Sequence, residues 1–302
     1  MGFPGGSSPD LVARTLAEPL SKALGQPVIV ENKPGASGNI AADQVAKSTD
    51  NHTLGLMING NLTTAKLLNP QNPYDPAKDL MPISLIATAP LVLVAPVAGN
   101  AVAASGQAVN SAVSPSAGRE FLAAAKRAGS SWSYGSPGVG TVAHIAMEML
   151  NGRTGAGSVH VPYPGNPQVV TALLGQQIQL ALLPPGLAMA QMRSGKLQAL
   201  AVTSSGRSPV VPELPSLAEL GVKDFQFEIW DAVAAPASFP KPIAARLSAL
   251  LSEIARSPDV RQKLATQGWQ VAGTSAEGLA IRMKNDTAQM AAVIAKAGIK
   301  IE

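Results

Sequence analysis

Apolar positions recur along the chain in two rhythms, a spacing near 3.6 residues and short unbroken runs, and the two alternate from end to end. Ala13, Leu16, Ala17, Leu20 and Leu24 share one helical face. Ser8 as cap, Pro9 at the first helical position and Asp10 in the first turn open that helix, and Gly25 closes it. Residues 28–30 predict a short buried strand. The turn-rich loop from Asn32 to Asn39 leads into a helix over 40–47. Residues 54–58 predict a second strand, with Asn59-Gly60-Asn61 as a polar loop at its carboxyl end and Thr63 and Thr64 starting the next helix. A proline-punctuated loop over 70–82 precedes 83–94, whose nearly continuous apolar character predicts a strand covered on both faces.

From 97 to 118 no charge occurs and Ala, Ser, Gly and Val dominate, which predicts a low-complexity surface segment near a domain boundary. A helix over 120–127 and a strand over 131–134 follow. Next come Gly135, Gly138 and Gly140, whose backbones reach conformations closed to other residues. Thr141 then caps a helix carrying Val142, Ile145, Ala146, Met149 and Leu150 at helical spacing. Free N–H groups at such a helix start, backed by its dipole, form a site for an anion. Gly5 and Gly6 stand in the same relation to the first helix, so both loops are expected to face one ligand. Strands at 159–161, 178–183 and 199–202 alternate with helices, an extended stretch covers 225–235, and amphipathic helices follow over 242–256 and 275–296. Alternating strands and helices predict an α/β protein of mostly parallel sheets.

Composition narrows the chemistry. The 302 residues suffice for one large or two medium domains. Only 14% are charged, the net charge is +4, and no basic run or interleaved aromatics occur, which argues against nucleic-acid binding. The absence of cysteine excludes thiolate catalysis, disulfides and cysteine-ligated metals. No run reaches the roughly 18 apolar residues of a membrane span. The opening Met1-Gly2-Phe3-Pro4 carries no basic, apolar leader, so the protein is expected either to be cytoplasmic or to have its leader outside this sequence. His52, His144 and His160 lie far apart without metal spacing, so no metal is expected. No Gly-x-Ser-x-Gly elbow, Walker loop or dinucleotide fingerprint is present, and no cofactor is expected. Backbone and hydroxyl donors without a catalytic base remain, the inventory of a binder. Ser136 with His144, as a hydrolase or transferase pair, is the alternative from another class.

Several stretches, in order, resemble a known family. They are Phe3-Pro4-Gly5-Gly6-Ser7-Ser8-Pro9-Asp10 with Ala13-Arg14, Val30 to Asn39, Ser133 to Glu148, His160-Val161-Pro162-Tyr163, Ser194 to Ser204 and Leu214 to Gly221. The whole chain is similar to solute-binding proteins of the tripartite tricarboxylate transporter, the TctC or Bug family.

The resemblance implies a two-domain periplasmic binding protein, each domain a mostly parallel sheet flanked by helices, with the ligand cleft between domains. The expected division is 1–97 plus 223–302 against 98–222. The implied role is a non-enzymatic monomeric receptor that closes around a small organic carboxylate and delivers it to membrane permease subunits. Carried over by position, Gly5, Gly6, Ser7 and Ser8 form one carboxylate loop. Ser136, Pro137, Gly138, Val139, Gly140 and Thr141 form the other, with His144 as a supporting residue on the helix face. Asn59, Asn61 and Thr63, with Leu183 and Pro184, are expected to line the distal end. Relatives carry a strand before the opening Phe-Pro, whereas this sequence opens on that motif, and Gly5 replaces their second proline. Leu183-Pro184 stands where many have Asp-Asn, so the expected ligand lacks an ammonium group. A cytoplasmic sensor of the same fold is a third reading.

Overall fold

A computed structural model describes residues 1–97 and 114–297, which separate into two compact units. The first comprises Met1–Thr88, Gly138–Thr141 and Ile229–Glu302, and the second Ala89–Pro137 and Val142–Glu228. Most of the low-complexity stretch of 97–118, namely 98–113, lies outside the described residues.

The first unit begins with helix α1 (Ser8–Leu24), ended by Gly25 in the left-handed conformation. A short 3-10 turn (Ala36–Gly38) feeds α2 (Asn39–Ala46). Strand β1 (Gly55–Ile58) runs straight into the single helical turn α3 (Asn59–Leu62), followed by α4 (Ala65–Leu68) and α5 (Pro76–Asp79). Asp75 caps α5 by accepting the Ala77 N–H at 3.0 Å. Strand β2 (Leu80–Pro90) ends this run.

The second unit holds β3 (Val92–Pro96), α6 (Pro115–Ala128), β4 (Ser133–Ser136) and α7 (Val142–Thr154). It continues with β5 (Val159–Pro162), α8 (Asn166–Leu174), β6 (Leu180–Leu183), α9 (Pro185–Arg193) and β7 (Leu197–Val202). The chain re-enters the first unit along β8 (Glu228–Pro236) and finishes with α10 (Lys241–Arg256), α11 (Pro258–Thr266), the short β9 (Gln270–Val271) and α12 (Ala276–Ala297).

The first sheet has the order β1-β8-β2-β9 and the second β5-β4-β6-β3-β7. The expectation of mostly parallel strands needs correction. In the second sheet β4 pairs in parallel with β5 and β6, while β3 is antiparallel to both β6 and β7. In the first sheet β1 with β8 and β2 with β9 are antiparallel. The cause is connectivity. A crossover helix fixes parallel direction only between the strands it joins, and β8 and β9 return to the first sheet after the excursion through the second unit.

Three local differences have simple origins. The run at 83–94 is two strands, because Pro90 donates no ladder bond and the Leu91 N–H turns to Thr203 Oγ1 at 2.8 Å. Residues 28–30 form no strand, and Ile29 is 81% exposed, since no described strand pairs with them. Asn59 to Asn61 coil into α3 rather than forming an open loop.

The second core is chiefly aliphatic, and the first combines aliphatic side chains with Trp230 and Tyr74. Met57, Leu62, Leu80, Leu85 and Trp230 pack with Tyr74 in the first unit, and Val92, Val94, Leu173, Leu183 and Val202 in the second. Of the candidate segments, Asn59–Thr63 follows the end of β1 and Ser136–Thr141 the end of β4, while Gly5–Ser8 leads directly into α1.

Candidate functional site

The opening loop is fastened from behind. Asp10, on the first turn of α1 and almost wholly buried, accepts the Gly6 N–H at 2.9 Å and Arg14 Nε at 3.0 Å on Oδ2, and Asn32 Nδ2 at 2.8 Å on Oδ1. Burial raises the pKa of this carboxyl, but the bonds from Arg14, Asn32 and Gly6 outweigh it and leave it below its usual range. Ser7 occupies the N-cap of α1 with extended backbone, yet its side chain makes no capping bond. Its Oγ is buried and has no hydrogen-bond partner. A buried unpaired hydroxyl at a helix N-terminus is poised for an acceptor that the protein itself does not supply.

The second loop is built on carbonyls. Thr141 Oγ1 donates to the Gly138 carbonyl at 2.8 Å, Ser37 Oγ to the Val139 carbonyl at 2.8 Å, and Thr64 Oγ1 to the Gly140 carbonyl at 3.0 Å. In a trans peptide the N–H points away from the carbonyl of the same plane. Fastening these three carbonyls fixes the peptide planes of the loop, and the Thr141 N–H closes back on the Gly138 carbonyl at 3.4 Å. Gly138 has φ +130°, and a Cβ there would collide with Ser37 Oγ. Gly140 has φ +80°, and a Cβ there would lie 2.9 Å from Leu68 Cδ1. Ser37 and its neighbour Ala36 hold φ of +55° and +45°, strained values for residues with a side chain.

Within the first unit these segments enclose a cavity of about 170 Å³, walled by Ser37, Asn39, Asn61, Thr64, Leu68 and Gly140 among others. Among the described residues no lysine, arginine, aspartate or glutamate lines it. Anything anionic there would be held by neutral dipoles.

In the second unit β4 delivers Ser136, whose Oγ is hydrogen-bonded to His160 Nε2 at 2.7 Å. The His160 ring lies between His144, with ring centroids 4.1 Å apart, and Tyr134, 4.9 Å away. Tyr134 donates its hydroxyl to Glu148 Oε1. Burial lowers the His144 pKa to about 4, and burial with the neighbouring His144 does the same for His160. At neutral pH both rings are uncharged.

The expected residues are thus distributed as follows. Gly5, Gly6, Ser7, Ser8, Asn59, Asn61, Thr63 and the segment Gly138–Thr141 belong to the first unit, and Ser136, Pro137, His144, Leu183 and Pro184 to the second. Thr63 Oγ1 donates to the Asn59 carbonyl at 2.7 Å and so secures α3. Leu183 sits in the second core. Sequence reasoning missed Ser37, Asn39, Tyr74 and the contact of His160 with Ser136. The turn-rich loop before α2 was the signal available for the first two. Among the described residues no cluster suited to a metal ion occurs, and no helix is long and apolar enough to cross a membrane.

Comparison with known proteins places these features. The model of the tripartite tricarboxylate transporter family receptor, TctC, matches residues 12–299. The solved structure of the periplasmic binding protein BugD is similar at 31% identity and TM-score 0.87, covering 99% of this chain and 96% of that one. Rpa4515 from R. palustris, solved with adipate, is similar at 27% identity and TM-score 0.89 over 99% and 96% of the two chains. MatC from Rhodopseudomonas palustris, solved with malate, is similar at 29% identity and TM-score 0.85 over 97% and 96%. BugD is a periplasmic binding protein and the matched family is one of receptors, not enzymes, so the alternative of a Ser136/His144 hydrolase is set aside. The chain belongs to the tripartite tricarboxylate transporter family of solute-binding receptors.

Proposed function

We propose that this chain is a periplasmic receptor that captures a small organic carboxylate and delivers it to membrane permease subunits of a tripartite transporter. The observation that carries the reading is the buried Ser7 hydroxyl, unpaired at the start of α1 and so a neutral donor poised for an anion. The second glycine loop, its carbonyls at Gly138, Val139 and Gly140 fastened by hydroxyls, belongs to the same reading. Adipate and malate in the similar structures are both dicarboxylates, which fits this donor chemistry.

In this reading Gly5, Gly6, Ser7 and Ser8, with Ser136, Pro137, Gly138, Val139, Gly140 and Thr141, bind one carboxylate. Asn59, Asn61 and Thr63, with Leu183 and Pro184, face the remainder, and His144 supports the second loop. Capture by closure of the two units, which the family resemblance implies, belongs to the same reading. The ligand carries no ammonium group, because Leu183 and Pro184 offer it no carboxylate partner.

Calorimetric titration with malate, adipate, benzoate and glutamate tests the proposal. One-to-one binding of at least one acid lacking an amino group, without turnover, is expected. Tighter binding of glutamate than of every other acid would overturn the ligand class, and turnover would overturn the receptor role.

A further inference from the structure

Asn61 Nδ2 donates to the Ser37 carbonyl at 3.0 Å and to Asn39 Oδ1 at 2.8 Å. The Tyr74 hydroxyl, buried in the first core, lies 2.7 Å from the same Asn39 Oδ1 and 2.8 Å from the Asn61 carbonyl. The orientation of each amide follows from which atoms can only accept. The Ser37 carbonyl accepts, so Asn61 must present Nδ2 to it. The second N–H of that Nδ2 then faces Asn39, which must answer with Oδ1. Tyr74 shares its single proton between Asn39 Oδ1 and the Asn61 carbonyl. No other arrangement satisfies all four groups.

The consequence lies on the far side of Asn39. With Oδ1 held inward by two donors, Nδ2 is turned outward, and no hydrogen bond among the described residues engages it. Asn39 lines the cavity. The hydroxyls of Ser37 and Thr64 in the same wall already donate to carbonyls. Asn69 also reaches the cavity, but it is an exposed residue whose Oδ1 accepts the Gln71 N–H at 3.0 Å.

We infer that Asn39 is a specificity-determining residue whose Nδ2 donates to an acceptor on the body of the ligand away from the carboxylate gripped by the glycine loops, and that Tyr74 and Asn61 are the positioning residues that fix its direction. The ligand is therefore a carboxylate with a second acceptor, such as another carboxylate, a carbonyl or a hydroxyl oxygen. This rests on the receptor reading above and deepens it. The role is distinct from the grip on the first carboxylate, because none of the three residues belongs to either glycine loop.

Asn39→Asp provides a test with little change of shape. The inner oxygen still accepts from Asn61 and Tyr74, while the outer amide becomes an acceptor. Titrations of the full chain and of this variant use three acids of equal length: adipate, hexanoate and 6-aminohexanoate. In the variant, adipate affinity should fall about tenfold or more, as expected when a donor to a charged group is replaced by a like charge. Hexanoate should change less than about twofold, and 6-aminohexanoate should gain relative to adipate. If Asn39→Asp does not fold, Tyr74→Phe decides, with an expected fall of about threefold in the adipate-to-hexanoate affinity ratio. An equal effect on adipate and hexanoate, or an unchanged ratio, overturns the role of Asn39 and leaves the receptor reading intact. Binding of none of the three acids by the wild-type chain overturns the role of Asn39, and the receptor reading falls with it only if malate and benzoate also fail to bind.

Discussion

The Ser37 hydroxyl donates to the Val139 carbonyl at 2.8 Å, joining two segments 102 residues apart in sequence. The same serine leaves no room for a side chain at Gly138. Ser37 therefore serves both as the donor that turns one peptide of the loop and as the wall that requires glycine beside it.

Gly138→Ala is accordingly expected to abolish carboxylate binding, since the new Cβ must displace Ser37 and adopt a backbone conformation that suits glycine. Ser37→Ala is milder. It removes one hydrogen bond worth about 1 kcal/mol, so affinity should fall roughly fivefold while the fold is retained. Calorimetry with malate or adipate, alongside thermal unfolding of each variant, separates lost binding from lost stability.

The two stacked histidines give a pH dependence of definite sign. Both have folded pKa values of about 4 against an ordinary 6.5, so the unfolded chain takes up their protons first as pH falls. Their contribution is complete above about pH 6.5 and drains away toward pH 4, on the order of 2 kcal/mol after allowing for the partial exposure of His160. Urea denaturation of wild type and His144→Gln at pH 7 and pH 5 should show the wild type losing more stability over that interval. An equal loss in both would count against the assignment.

Asp231 acts in the opposite sense. It faces Ile58 across the β1–β8 pair, its Oδ2 is buried without a partner, and burial raises its pKa well above the ordinary value. A raised carboxyl pKa favours the fold at low pH, and that advantage is lost as pH climbs through the folded value. Asp231→Asn supplies the uncharged form at every pH. The variant should be more stable than wild type at pH 8, by about 1 kcal/mol or more, with the difference shrinking at pH 5. Urea midpoints at the two pH values check this.

Much of the molecule was legible because it rests on local signals. The Gly25 stop of α1 and the amphipathic spacing of α10 are written in adjacent residues and form as expected, while the start of α1 lies one residue early, with Ser7 rather than Ser8 at the N-cap. Strand direction in the first sheet was not legible, because β1 and β8 meet only through contacts more than 150 residues apart in sequence. In the site, the two glycine loops could be read from composition, while their supports could not. Tyr74 stands in a proline-rich loop with no local pattern, and its link to Asn39 and Asn61 exists only in three dimensions. His160 reads as an ordinary strand residue, and only the parallel pairing of β4 with β5 sets it beside Tyr134.

The claim that neutral dipoles grip a carboxylate is tested most directly by comparing adipate with its dimethyl ester in calorimetric titrations of the wild-type chain at low and at moderate salt. The ester keeps the chain length and the carbonyls but has no charge for the donors of the two loops to hold. Adipate should bind one-to-one, with only a modest change between the two salt concentrations because no charged side chain among the described residues lines the cavity, and the ester should bind more weakly by about a hundredfold or more. Equal affinity for acid and ester would contradict the claim.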